Sequence, residues 1–305
     1  MTQRTPPVTI GIVSYHRFEP LAECLSSLVA AAAGYPGATS VVIANNAGAA
    51  ARDRLRAVVL SSGLAERCDV RIVEPERNNI SVARNRLLDV CESRLLAFLD
   101  DDETPEAGWL VALVDQYLLH RPAAVAGPVF PRYVGPTVPW VAAVDLHNTR
   151  ERRTGDRPRR VGSGNCLIDR EAIGSLRFDE RFGATGGEDG DFFEALSRAG
   201  GEIRWSAEAI AWETIPPDRS TPDYVRARFV AQGRNFARFM LKDAGLLDRI
   251  RFRARAVPLA LAGIGLGALF RPFDPERCAR FWKGGFTNLG KWWPARRRLY
   301  RRASD

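Results

Sequence analysis

Three consecutive carboxylates, Asp100, Asp101 and Asp102, follow directly on the apolar run Leu95-Leu96-Ala97-Phe98-Leu99. Adjacent like charges repel, so the group is costly to ionise unless a cation or hydrogen-bond donors sit among the carboxylates. Oxygen ligands without His or Cys select hard divalent ions, Mn²⁺ or Mg²⁺. The same residues also suit a solvated acidic turn, and the tripeptide alone does not separate the two. A second acidic group, Thr185-Gly186-Gly187-Glu188-Asp189-Gly190-Asp191, offers different chemistry. Glycines ahead of the carboxylates let the backbone bend sharply and approach a ligand. A helix starting at Glu188-Asp189 would hold Asp189 ionised through its macrodipole, and an ionised carboxylate can act as a base. An ordinary N-terminal cap is the competing role, while EF-hand spacing is absent.

The elements that must position these groups follow from periodicity. Val8 to Ser14, Ser40 to Asn45, Val70 to Val73 and Leu95 to Leu99 read as strands, rich in β-branched and apolar residues. Leu21, Cys24, Leu25, Leu28 and Val29 share one face of a helix, as do Ile80, Ala83, Leu87 and Leu88 within a helix over Ile80 to Val90. Leu55 to Leu60 also carries helical signal. Alternating strands and helices predict an α/β fold, a mostly parallel central sheet with helices on both faces. In such sheets ligands bind at the carboxyl ends of the strands, where Asp100 to Asp102 fall. Further on, Ala123 to Phe130, Gly162 to Ile168 and Ile203 to Ser206 read as strands, Asp191 to Arg198 as a helix, and Arg150 to Arg160 as an exposed loop.

After about Tyr224 the character changes, which divides the chain into a catalytic domain over 1–222 and a helical C-terminal region over 223–305. Tyr224 to Lys242 is a basic helix. Ala256 to Phe270 is apolar and uncharged but shorter than the ~20 residues of a transmembrane helix. With Arg255 and Arg271 flanking it, and Trp292, Trp293 and Arg296-Arg297-Arg298 beyond, it predicts interfacial contact with a membrane rather than a span. The net charge is +8 over 305 residues, carried by basic clusters that suit phosphate groups or an anionic membrane surface. Five scattered cysteines without CxxC spacing imply reduced thiols in a cytosolic compartment. There is no signal-peptide core from Met1 to Pro7, no GxxxxGK[ST] loop, no GxSxG elbow, and no zinc spacing among His16, His120 and His147.

Several ordered blocks together resemble family 2 glycosyltransferases of the GT-A fold, in particular those that build exopolysaccharides. They are Ile12-Val13-Ser14-Tyr15-His16-Arg17, Asn78 to Asn85, Leu99 to Glu103 with Trp109-Leu110, Gly127-Pro128-Val129 with Trp140, Gly162 to Arg170, Phe178 to Phe182, Thr185 to Asp189, and Glu208-Ala209 with Trp212-Glu213. The resemblance spans roughly residues 8 to 240. It implies inverting transfer of a sugar from a nucleotide-diphosphate donor, expected to be UDP-linked, to a hydroxyl of a glycan or lipid-linked acceptor. Glucose is the sugar it suggests.

By that resemblance Asp102, with Asp100 and Glu213, would hold Mn²⁺ or Mg²⁺, and Asp100 and Asp101 would also contact the donor. Asp189 matches the general base, with Glu188 beside it toward the acceptor. Ser14, Tyr15, Arg17, Asn45, Asn79 and Arg84 would form the donor site, and Trp140 and Trp212 would stack on the acceptor. One departure stands out: the usual acidic residue after the second strand is replaced by Ala44-Asn45-Asn46. The implied location is peripheral, on the inner face of the cytoplasmic membrane, with no nucleic acid partner. Two other readings stand beside this one: a sugar nucleotidyltransferase, which would need a Gly-rich loop after the first strand, and a non-catalytic module that binds a polyanion or polysaccharide.

Overall fold

The structure, a computed structural model, describes residues 5–144, 146 and 152–292. His147, Arg150, Glu151, Trp293, Arg296 to Arg298, Arg301 and Arg302 lie outside the described residues. In chain order the elements are β1 (Val8–Ser14), α1 (Phe18–Gly34), β2 (Thr39–Asn45), α2 (Arg52–Ser61), β3 (Asp69–Val73), α3 (Ile80–Val90), β4 (Leu95–Asp100), β5 (Glu103–Pro105), α4 (Trp109–His120) and β6 (Ala124–Ala126). There follow β7 (Val129–Tyr133), α5 (Pro139–Ala143), β8 (Asn165–Asp169), α6 (Arg170–Ile173), α7 (Glu188–Arg198), β9 (Ile203–Trp205), β10 (Ala211–Ile215), α8 (Pro222–Met240), α9 (Leu246–Phe270) and α10 (Pro275–Trp292). The chain forms two compact units, one of Met1–Pro131, His147–Ala184 and Glu188–Glu213, the other of Arg132–Leu146, Thr185–Gly187 and Thr214–Asp305.

The first unit is built on a seven-stranded sheet of order β3-β2-β1-β4-β8-β6-β9. All its pairings are parallel except those of β8, which runs against both β4 and β6. The mostly parallel α/β architecture expected from the sequence is therefore present. β1 lies between two parallel neighbours, and its side chains alternate between faces. Val8, Ile10 and Ile12 are fully buried in one core with Leu21, Leu25 and Leu28 of α1 and Trp109 and Leu113 of α4. The opposite face packs Leu87 and Leu88 of α3 and Phe192 and Phe193 of α7 against Val42, Leu96 and Phe98. Two apolar faces explain why these strands read as unbroken apolar runs.

The stretch Ala123 to Phe130, expected as one strand, is divided. β6 belongs to the large sheet and β7 to a three-stranded sheet of order β5-β10-β7. The break falls at Gly127-Pro128. Pro128 has no N–H to extend the ladder, its carbonyl turns to accept from Ala211 and Asn165, and Gly127 lies so close to the Ala209 carbonyl that no side chain fits.

In the second unit α10 packs against α8 and α9. A core of Trp140, Val141, Ile215, Val225, Phe229, Cys278 and Trp282 joins α5, α8 and α10. α9 and α10 cross where Gly263 meets Gly285: a Cβ on Gly263 would stand 2.7 Å from the Gly285 Cα. α9 runs 25 residues, so the apolar segment is continuous with a basic stretch bearing Arg249, Arg251, Arg253 and Arg255. Pro258, which removes one helical donor, sits at the junction of the two halves. By length and composition α9 is long and apolar enough to cross a membrane, and most of its apolar stretch is not buried within the protein.

Candidate active site

The carboxyl ends of β1, β2 and β4 lie side by side, with Ser14 in register with Asn45 and Val13 with Asp100. Ser14 and Asn45 are both buried. After β1 the chain turns through His16, whose φ of 54° is left-handed. The Tyr15 N–H donates to Asp101 Oδ2 at 3.3 Å, and Arg17 Nη1 donates to Asp101 Oδ1 at 3.3 Å and to Asp102 Oδ2 at 2.5 Å. Burial pushes the Asp101 carboxyl up to about 7 and Arg17 pulls it back, while Asp102 and Asp100 add to the rise. Asp101 thus takes up the turn's donors, whereas Asp100 is aimed elsewhere.

Asn45 donates to Gly48 O and to Glu74 Oε1, both at 2.9 Å, and Arg52 reaches the same Glu74 oxygen at 3.0 Å. Glu74 follows directly on β3, whose Val73 is in register with Ala44. A carboxylate therefore does stand beside the second strand's end, delivered from the next strand over, and its sequence position after Val73 gives no sign of this. Asn79 is the N-cap of α3: its side chain accepts from the Ser81 and Val82 N–H groups and donates to Glu180 O. Its own N–H donates to Asn46 Oδ1, which ties the start of α3 to the end of β2.

A fourth acid, Glu103, continues the run of carboxylates and was not singled out in sequence. It heads β5, directly opposite Glu213 on β10, and both are buried. Like charges directly opposite on adjacent strands are destabilising. Burial, with Asp100, Asp102 and Glu213 nearby, holds the Glu103 carboxyl well above the usual range, and its Oε2 is buried without a hydrogen-bond partner. Gly164 makes room for this crowd. A Cβ there would stand 2.7 Å from both Asp100 Oδ2 and Glu103 Oε1. Among the described residues no three His, Cys, Asp or Glu side chains are disposed as a metal site, and Arg17 lies against Asp101 and Asp102. The chemistry of the donor set nevertheless fits a hard divalent cation: all-oxygen ligands, mutual repulsion, and one orphaned buried carboxylate oxygen.

Arg84 joins this acidic centre to the second one. Its guanidinium is buried, with Nη1 on Glu188 Oε1 at 2.5 Å and Nη2 on Asp100 Oδ1 at 3.3 Å, over the Phe178 ring at 5.6 Å from the centroid. With both ends of its fork on carboxylates, Arg84 organises the site from within. Asp189, next along α7, accepts from the Gly190 N–H at 2.7 Å. Burial and Glu188 push its carboxyl up to about 6, with Arg84 acting in the opposite sense. The helix start favours the ionised form of Asp189, and burial beside a like charge works against it.

The two tryptophans part company. Trp140 is 3 % exposed and its ring stands edge-on to Trp282 at 4.8 Å, so its faces are given to core packing in the second unit. Trp212 is half-buried on β10, one residue before Glu213, with Nε1 donating to Glu106 at 2.9 Å and its ring against Phe130. It is the tryptophan that remains near the acidic centre.

The chain matches the glycosyl transferase family 2 domain over residues 9–177. It is 35 % identical over 270 residues to the succinoglycan biosynthesis protein ExoM of Rhizobium meliloti (strain 1021), covering 88 % of this chain and 84 % of that protein. The chain therefore belongs to glycosyl transferase family 2, and it is a glycosyltransferase. Among solved structures it resembles a mannosyltransferase from Pyrobaculum calidifontis, PcManGT, crystallised with GDP-Man and Mn²⁺ (TM-score 0.63, 15 % identity, 95 % of this chain and 88 % of that one). It also resembles GalNAc-T7 with UDP, GalNAc and Mn²⁺ (TM-score 0.56, 15 % identity, 80 % and 52 %). At these identities the likeness is one of fold.

Proposed function

We propose that this protein is an inverting, metal-dependent glycosyltransferase of exopolysaccharide assembly, moving a sugar from a nucleotide-diphosphate donor to a glycan or lipid-linked hydroxyl. The observation that carries the reading is the single buried guanidinium of Arg84 shared by Asp100, on the strand-end side, and Glu188, adjoining Asp189. It puts a cation-attracting centre and a basic carboxylate in one site, as a displacement at an anomeric carbon requires. On this reading Asp189 takes the acceptor's proton as its oxygen attacks, and one displacement inverts the sugar carbon. Ser14, Tyr15, Asn45 and Glu74 receive the nucleoside, and Arg17 is placed to exchange Asp102 for a donor phosphate. Trp212 offers a ring to the acceptor. Asp102, with Asp100 and Glu213, would hold Mn²⁺ or Mg²⁺, which when bound would supply Lewis-acid stabilisation of the departing nucleoside diphosphate.

Calorimetric titration with UDP, GDP and their glucose and mannose conjugates, with and without Mn²⁺, tests this directly. Metal-dependent binding of one nucleotide is expected, and Asp102→Ala should weaken it by roughly a hundredfold, about 2.7 kcal/mol. Binding that ignores Mn²⁺ and survives Asp102→Ala would sink the metal role. The pH dependence has a defined sign. With the Asp189 carboxyl near 6, kcat/KM should be full at pH 7.5 and fall through half-maximum near pH 6 as the base gains its proton. Glu188→Gln removes the neighbouring negative charge and should carry that limb to lower pH. An unmoved limb would assign it to another group.

The same reading places the enzyme peripherally on the inner face of the cytoplasmic membrane. Leu259, Leu261, Leu266 and Leu269 of α9, and Phe273 after it, are exposed, beside the Arg249 to Arg255 stretch that suits anionic headgroups. Leu261→Glu, Leu269→Glu and Phe273→Ser together should cut co-sedimentation with phosphatidylglycerol vesicles at least about tenfold, since burying one Leu is worth about 1.5–3 kcal/mol. Undiminished co-sedimentation would remove α9 from the membrane contact.

A further inference from the structure

The arginine-rich loop that precedes β8 has no part in the site described above, yet it lines an open, concave space of its own. Arg152, Asp156, Arg157, Pro158, Arg159 and Arg160 line a space of about 380 Å³. The loop is built rather than loose. The Gly155 N–H donates to Trp205 O and the Trp205 N–H to Asp156 O, at 2.9 and 3.0 Å. Thr154 Oγ accepts from the Ala207 N–H, Ser197 donates to Arg159 O, and the Arg152 guanidinium lies 4.8 Å from the centre of the Trp205 indole.

In the ion pairs given by the described residues, Glu194 receives Arg159, Arg160 and Arg198, while Glu202 receives Arg157 and Arg204. Two carboxylates are thus shared among five guanidiniums. The lining acid, Asp156, turns Oδ2 inward to accept from the Arg153 N–H at 2.8 Å. Arg157 and Arg159 keep side chains 69 % and 72 % exposed, so their forks have donors to spare. Guanidiniums with spare donors around a concave space match phosphate oxygens, which they bind in parallel pairs. A cavity of this size admits a diphosphate with the first atoms of its ester, and falls within the range of small-ligand sites.

We propose that this arginine-lined cavity is an anion site for diphosphate groups, independent of any divalent cation and separate from the carboxylate centre around Asp102. The diphosphate could come from two sources: the linkage of a lipid-borne acceptor, or free inorganic pyrophosphate.

Calorimetry on the full chain in EDTA distinguishes the outcomes, because the acidic centre without a cation repels a diphosphate. Inorganic pyrophosphate and geranyl diphosphate are the probes. One binding event is expected in EDTA, weakened at least tenfold in the double variant Arg157→Gln/Arg159→Gln. Arg157→Lys, which keeps the charge but loses the fork, should fall between. Tighter binding of geranyl diphosphate than of pyrophosphate identifies the lipid-borne source, and equal binding the free anion. No binding in EDTA, or equal binding by the double variant with an unaltered melting curve, overturns the proposal. Should the double variant melt early, ³¹P line broadening of pyrophosphate by the intact chain and by Arg157→Lys decides: equal broadening by both, or none, rejects the site. This test does not depend on transfer activity, so the site can fail while the glycosyltransferase reading stands.

Discussion

Asp189→Asn should abolish sugar transfer, lowering kcat by about 10²–10⁴-fold, the range a positioned general base contributes, while donor affinity in the presence of Mn²⁺ stays within about twofold. The separation follows from where the residue stands. Asp189 heads α7 and hydrogen-bonds to its own helix's Gly190 N–H, whereas the turn after β1 and the Asp101–Asp102 pair are tied together by Tyr15 and Arg17 without it. Asn keeps the shape and a similar hydrogen bond but cannot take a proton. Because Asn also removes a negative charge beside Glu188, the folded protein should gain rather than lose stability at pH 7. The carboxyl is held above its ordinary value, so its ionised form is disfavoured in the native state. The decisive comparison is single-turnover rate against calorimetric donor affinity in the same preparation. Equal loss of both would mean that Asp189 belongs to donor binding.

Arg84→Leu should destabilise the first unit by about 3–5 kcal/mol, the cost of leaving buried carboxylates without their counter-charge. Glu188 and the exposed-edge Asp100 share this one guanidinium, and Glu188 Oε2 already lacks a partner. Loss of the cation would leave buried Glu188, beside half-buried Asp189, without its counter-charge. Arg84→Leu/Glu188→Leu should recover most of the lost stability, since removing both members of a buried pair costs far less than removing one. Recovery in the double variant without recovery of activity would separate the structural from the functional share. Urea midpoints followed by circular dichroism measure the effect; a change below about 1 kcal/mol in Arg84→Leu would show that the bridge is solvated and weak.

Several parts of the site were legible in the residues themselves. The position of Asp100 to Asp102 at a strand end followed from the apolar run before it, and β4 ends at Asp100. The helix start at Glu188 followed from the glycines ahead of it and the apolar face behind. Glu74 and Glu103 escaped notice for different reasons. Glu74 depends on two strands lying in register, a relation across 29 residues that no local pattern records. Glu103 is adjacent to the acidic run but gains its character from Glu213, which faces it from a strand 110 residues away in sequence.

By itself the sequence determined the alternation of strands and helices, the edge of the sheet at which the carboxylates emerge, and the family to which the blocks belong. These depend on local periodicity and on residue types at short spacing, which the chain carries wherever it folds. Only the tertiary structure decided that Arg84 bridges the two acidic groups instead of facing open solvent, that Trp140 is spent on packing against Trp282 while Trp212 stays beside Glu213, and that Asp189 is pushed toward neutrality. Each of these is a matter of which distant groups share a small, poorly hydrated volume. Charge and burial act through space with a strength set by distance and dielectric, and neither is written in the order of residues along the chain.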